Sequence, residues 1–184
     1  MPRQLLLASQ SPRRRELLTN AGVAFRVVSP NIDETPRAKE SPRALVRRLS
    51  RAKAAAVSAE PRESVLAADT VVAVGARIMN KPTDDAEAAR MLRSLSGRWH
   101  EVHTGFCLRA GEDDVARVVT TKVKFRVLSA ADIKRYIATG EGRDKAGAYA
   151  IQGIGAQLVS EVRGSYTNVI GLPIAEVLEA LAWA

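Results

Sequence analysis

Spaced by apolar and polar positions, the chain alternates between short β-type patterns and longer helical ones. QLLLA at residues 4 to 8 predicts a buried strand, after which Ser11-Pro12 supplies an N-cap and a proline at the first helical position. That helix should stop at Gly22, and VAFRVVS at 23 to 29 alternates as a second strand. Ser41-Pro42 repeats the start signal, and Leu45, Leu49, Ala52 and Ala56 recur at helical spacing to about residue 59. Lys53 falls off that stripe.

Residues 64 to 75 and 77 to 80 read as two strands joined at Gly75-Ala76, the first interrupted by Asp69-Thr70. A helix from about 84 to 96 closes at Gly97. Residues 99 to 110 and 115 to 128 then form a long hairpin across GEDD, and Ser129 opens a helix that stops at Gly140. The stretch EGRDKAGAYAIQGIG is polar, glycine-rich and too long for a simple turn, which marks it as a functional loop. QLVSEVRG reads as a strand, and Pro173 opens a terminal helix. Strands and helices intermixed, with hairpins among them, predict a mixed-sheet α/β protein with ligands at strand ends or in a crevice.

At 184 residues and 46% hydrophobic content the chain suits one domain, spanning 1 to 184, with two lobes. The first apolar run is too short for a signal-peptide core or a membrane span, which points to the cytoplasm. The lone Cys107 cannot form an internal disulfide and reads as an inert buried thiol. Of the net charge of +8, all lies in residues 1 to 53, where 12 basic residues face 4 acidic ones; the remainder is balanced at 16 and 16. Such a bias calls for an anionic partner. Nucleic acid is disfavoured, because Phe25 is the only aromatic of the basic third and no zinc, RRM or KH signature is present. A nucleoside triphosphate would serve as well.

Arg13, Arg14 and Arg15 crowd the positive end of a helix, where acidic side chains are preferred and where phosphates bind. A bound polyanion would remove the conflict; solvated surface arginines are the alternative. Asp33-Glu34 lies in a loop, and Asp69 is either a strand-end charge in water or a cleft residue. Carboxylates in a basic neighbourhood are what a divalent cation and an activated water require. Lys53, Lys81 and Lys145 are further candidates for phosphate oxygens. His100 and His103, three apart, should face opposite sides of a strand and do not make a zinc pair. No Walker A, GxSxG or strand-preceded GxGxxG sequence is present.

ASQSPRRRELL, NIDE, RAKA, AADTVV, NKP, LSGRWHEVHTG and DKAGAYAIQG followed by GSYTNVIGLP resemble, in this order from about residue 5 to 178, the motifs of the Maf family of nucleoside triphosphate pyrophosphatases. The resemblance implies hydrolysis between the α and β phosphates with a divalent cation, Mg2+ or Mn2+. It implies an inosine triphosphatase-like fold, a long mixed sheet with flanking helices and a deep cleft, and a homodimer. It places the general base on Asp69, metal binding on Glu34 and Asp69, and triphosphate binding on Ser9, Arg13, Arg14, Lys53 and Lys81. Arg13, Thr70 and Gln152 fall on positions that divide the subfamilies, and their combination is similar to the dTTP/UTP branch. A glutamine presents a donor and an acceptor together, which suits the N3–H and O4 edge of uracil or thymine. The alternatives are 7-methyl-GTP or another modified nucleotide as substrate, or a nucleic-acid-binding regulator of septum formation. One departure is Gly142, where the family usually has proline, and it predicts a looser loop.

Overall fold

In the computed structural model, which describes residues 3–182, the predicted strands assemble into one sheet. β1 (Gln4–Ala8) pairs in parallel with β2 (Phe25–Val28) on one side and with β3 (Glu63–Val74) on the other. β3 pairs antiparallel with β5 (Trp99–Ala110), β5 with β6 (Asp113–Phe125), and β6 with β7 (Val159–Arg163). The short β4 (Arg77–Met79) folds back on the end of β3. The order β2-β1-β3-β5-β6-β7 is therefore mixed, as the interleaved pattern predicts.

Helix α1 (Pro12–Asn20) follows β1, and Leu18 anchors it in a core with Leu5, Leu7, Leu66 and Phe106. The terminal helix α6 (Ile174–Leu181) joins the same core through Val177 and Ala180. Helix α2 (Pro42–Ala55) covers the other sheet face, where Ala54 meets Leu6 and Val65, and Leu45, Val46 and Leu49 meet Val71. Helices α3 (Asp85–Leu95) and α4 (Ala130–Ala138) close the far end around Val72, Phe125 and Tyr149. A short α5 (Tyr166–Ile170) precedes α6; the hydrophobic pattern gave no sign of it, because Ser165 caps only a turn and a half of helix.

Two sequence expectations change. Asp69-Thr70 does not interrupt β3, because both residues keep their ladder positions opposite Gly105 and Thr104. The change of partner is on the other edge: β1 pairs with β3 only up to Ala67, and pairing with β4 begins at Val72 of β3. Residues 68 to 71 thus leave one strand edge open, next to the carboxyl end of β1, the position where open α/β sheets bind ligands. Lys53 is not off the helix stripe either. The buried set of α2 is Leu45, Val46, Leu49, Ser50, Lys53 and Ala54, one turn of helix carrying Leu49 to Lys53, while Ala56 is exposed.

Gly105 sets how closely α2 lies on the sheet. A Cβ there would strike the Val46 carbonyl oxygen and crowd Arg47 N at 3.0 Å. Gly105→Ala is expected to lower unfolding free energy by about 2 kcal/mol or more, since backbone cannot yield as a side-chain tip can. An unchanged denaturant midpoint would show that α2 does not need this approach.

His100 is buried at 2% exposure, with Phe125 and Tyr149 edge-on to its ring and Nε2 2.8 Å from the Tyr149 hydroxyl. His103 instead reaches Thr120 and Glu101, so the pair does face opposite sides. Burial lowers the His100 pKa from 6.5 to about 4. The unfolded chain therefore takes up this proton first, and stability falls as pH drops from 6.5 towards 4, by about 2 kcal/mol at about pH 5. His100→Gln should reduce the slope of urea-measured stability over that window, leaving the parts due to His103, whose pKa burial also lowers, and, towards pH 4, to carboxylates such as Glu40, which its hydrogen bond to Arg48 holds low. An identical slope in the variant would contradict this.

Candidate active site

The cavity at the open edge of β3 has a volume of about 500 Å³. It gathers every residue that the resemblance assigns, Ser9, Arg13, Arg14, Glu34, Lys53, Asp69, Thr70, Lys81 and Gln152, together with Lys145, whereas Asp33 stays outside it and accepts from Thr35 N. Arg15 is exposed and takes no part in the lining. Five cations, Arg13, Arg14, Lys53, Lys81 and Lys145, face three carboxylates, Glu34, Asp69 and Asp144, so the cavity favours an anion. Apolar side chains, Val72, Val102, Ile151, Val169 and Ile170, with the Tyr149 ring, provide a second wall suited to an unsaturated ring.

Alternation along β3 divides the polar groups. Asp69 points to the α2 face, where Lys53 Nζ donates to its Oδ1 at 2.7 Å and to Glu34 Oε2 at 2.9 Å. The lysine and the aspartate are both buried, at 6% and 8% exposure, whereas Glu34 is exposed in the loop after β2. The neighbouring Thr70 points to the opposite face. Arg14 holds three acceptors there, Gly171 O at 2.8 Å, Ser9 Oγ at 3.1 Å and Thr70 Oγ1 at 3.2 Å. Burial draws the Arg14 pKa below its usual value, against the pull of Asp69. With five N–H bonds on a guanidinium, two remain for a ligand. Thr70 Oγ1 also meets Thr104 Oγ1 at 2.9 Å, and Thr104 donates to Asn168 O at 3.0 Å, which ties this face to α5.

Helix α1 presents its N-terminus to the cavity. Ser11 caps without a side-chain bond, Pro12 has no N–H, and the first turn holds no acidic residue. Ser9 Oγ instead accepts from Ser11 N at 3.3 Å. The Arg13 side chain makes no hydrogen bond among the described residues, as a group kept for a ligand requires. Lys81 is exposed in the turn after β4, and Asn80 O accepts from Gly147 N at 3.2 Å, joining that turn to the glycine-rich loop. Lys145 Nζ donates to Glu141 O and Asp144 Oδ1, each at 2.6 Å. At Gly142 a Cβ would strike the Ala148 carbonyl oxygen, so the glycine permits a close approach there. Cys107 is buried, its thiol pushed up to about 11 mainly by that burial, as an inert thiol should be.

Two carboxylates converge on Lys53, and their other oxygens make no hydrogen bond among the described residues. No group of three or more His, Cys, Asp or Glu side chains able to hold a metal occurs among those residues. Mg2+ commonly takes one or two carboxylates and completes its shell with water and substrate phosphates, so the donor set fits a cation that arrives with a phosphorylated ligand.

The family model described as Maf-like protein matches residues 4–184. A dTTP/UTP pyrophosphatase of Sphingopyxis alaskensis is 52% identical over 181 residues, covering 97% of this chain and 95% of its own. One of Myxococcus xanthus is 52% identical over 178 residues, covering 96% and 90%. Among solved structures, a HAM1 protein from Coxiella burnetii matches all of both chains with a TM-score of 0.57 and 16% identity, a likeness of fold.

The ion cluster makes a testable prediction. Lys53→Met leaves the Asp69 carboxylate buried without its cation, and should cost about 2 kcal/mol, less than a fully dry pair because the cavity admits water. Adding Asp69→Asn should restore most of that loss. Equal losses that simply add in the double variant would show that the pair is not coupled.

Proposed function

Because the chain belongs to the Maf family, and its relatives carry the name dTTP/UTP pyrophosphatase, we propose that the cavity cleaves dTTP and UTP to the monophosphate and pyrophosphate. The observation that carries the reading is the convergence of Asp69 and Lys53 with the Ser9, Arg13 and Arg14 segment in one cation-rich cavity. The inosine triphosphatase-like sheet supplies the open β3 edge where they meet. No helix among the described residues is long and apolar enough to cross a membrane.

The geometry supports the following roles. The triphosphate lies along the N-terminus of α1, where free backbone N–H groups, Ser9, Arg13 and the unused N–H bonds of Arg14 meet its oxygens. Lys81 and Lys145 approach from the opposite loops and offset charge on the departing pyrophosphate. Asp69 accepts a proton from water attacking the α-phosphorus, and Lys53, donating to its Oδ1, keeps the carboxylate aimed. Glu34 and Asp69 would hold Mg2+ or Mn2+, which supplies charge neutralisation at the phosphoryl oxygens. Gln152 and Thr70 border the nucleoside end: the Gln152 amide makes no hydrogen bond among the described residues and is left for the base edge, while Thr70 acts by fixing Arg14. A homodimer and a cytoplasmic setting complete the proposal by likeness to the family.

A panel of nucleoside triphosphates with Mg2+ or Mn2+, scored for pyrophosphate release, tests it. UTP and dTTP should lead, and Asp69→Asn should lower kcat by a factor of about a hundred or more. Gln152→Glu should erode the preference for UTP and dTTP over 7-methyl-GTP. Release of orthophosphate instead of pyrophosphate, or full activity in Asp69→Asn, would refute the mechanism.

A further inference from the structure

Gln152 sits in an irregular stretch between 3₁₀ turns at Ala146–Ala148 and Gly153–Leu158, yet its amide can discriminate bases only if the backbone holds it in one place. The structure assigns that task to Glu141, acting with Tyr136. The Glu141 carboxylate accepts from Ile154 N at 2.8 Å and Gly155 N at 2.7 Å, and from the Tyr136 hydroxyl at 3.0 Å. The same hydroxyl accepts from Ala150 N at 3.0 Å. The segment is thus pinned on both sides of Gln152, at residue 150 by the phenol and at 154 and 155 by the carboxylate. Tyr136 is buried at 1% exposure in the α4 core, so the pin is fixed to rigid structure. Gly155 has no room for a side chain, because a Cβ would strike the Ala150 carbonyl and lie 2.9 Å from the Tyr136 hydroxyl.

Glu141 does not line the cavity, so it is a positioning residue and not a catalytic one. It reaches the nucleoside end alone. The phosphate end is built from α1, α2 and β3 with Lys81 and Lys145 from the loops, and Glu141 meets it only through its backbone carbonyl, which accepts from Lys145 Nζ and which no side-chain substitution removes. Glu141→Gln keeps the size of the side chain but exchanges one acceptor oxygen for an NH2 group facing a backbone N–H, which cannot accept from it. Glu141 therefore sets base selectivity without touching the base.

The inference rests on the pyrophosphatase reading, and the experiment separates the two. The parent, Glu141→Gln and Tyr136→Phe are compared for kcat and KM with UTP and GTP, for inhibition by inorganic tripolyphosphate, and for thermal unfolding. Tyr136→Phe removes one hydroxyl from a filled core and decides the matter if Glu141→Gln does not fold. In both variants the UTP over GTP preference should fall by about tenfold or more, through KM for UTP, while the tripolyphosphate inhibition constant stays within about twofold of the parent. An active parent with unmoved preference in the variants would overturn the role of Glu141, as would tripolyphosphate inhibition weakening in step with UTP binding. A parent that releases pyrophosphate from no triphosphate would overturn the functional reading beneath it.

Discussion

The ammonium of Lys53, shared between Asp69 and Glu34, is the contact on which the site depends. An aspartate in the middle of a central strand is a liability, since an unpaired buried carboxylate is strongly disfavoured. Pairing it requires a cation on the facing helix, and a lysine on α2 reaches it only if the helix lies close. Gly105, directly across the ladder from Asp69, permits that approach against the Val46 carbonyl. A glycine on one strand thus makes possible an ion pair with its neighbour.

The opposite sheet face solves a different problem with the same strand. Thr70, one residue on, orients Arg14 together with Ser9 and Gly171, and Thr104 extends the network to the backbone of α5. Arg14 therefore spends part of its hydrogen-bonding capacity on holding α1 to the chain that leads into α6. Because β3 stops pairing with β1 at Ala67 and starts pairing with β4 only at Val72, both faces open into one cavity there. Phosphate-directed and base-directed groups can then act on one ligand from different elements.

Much of this is legible in the chain. The strands and most helices follow from periodicity and from Ser-Pro, Ser and Gly signals, and the charge bias points to the cation-rich side of the cavity, which Arg13 and Arg14 line. Other features are not local. Lys53 was misplaced because Ala52 and Ala56 fit a helical stripe as well as the true set does; only the facing Asp69 makes a lysine belong on the buried side. Gly105 carries no signal, since its neighbour is 59 residues away in sequence at Val46. Gly142 suggested slack by composition, whereas the Ala148 carbonyl makes it a close contact. Glu141 carries no local signal, and its three bonds to Tyr136, Ile154 and Gly155 exist only once the loop has folded back on α4.

The central claim is that water beside Asp69 attacks the α-phosphorus. Turnover of UTP in 18O-labelled water, with the products resolved by mass spectrometry, tests it most directly. One labelled oxygen is expected in the nucleoside monophosphate and none in pyrophosphate; label in the pyrophosphate would place the attack on the β-phosphorus and refute the mechanism.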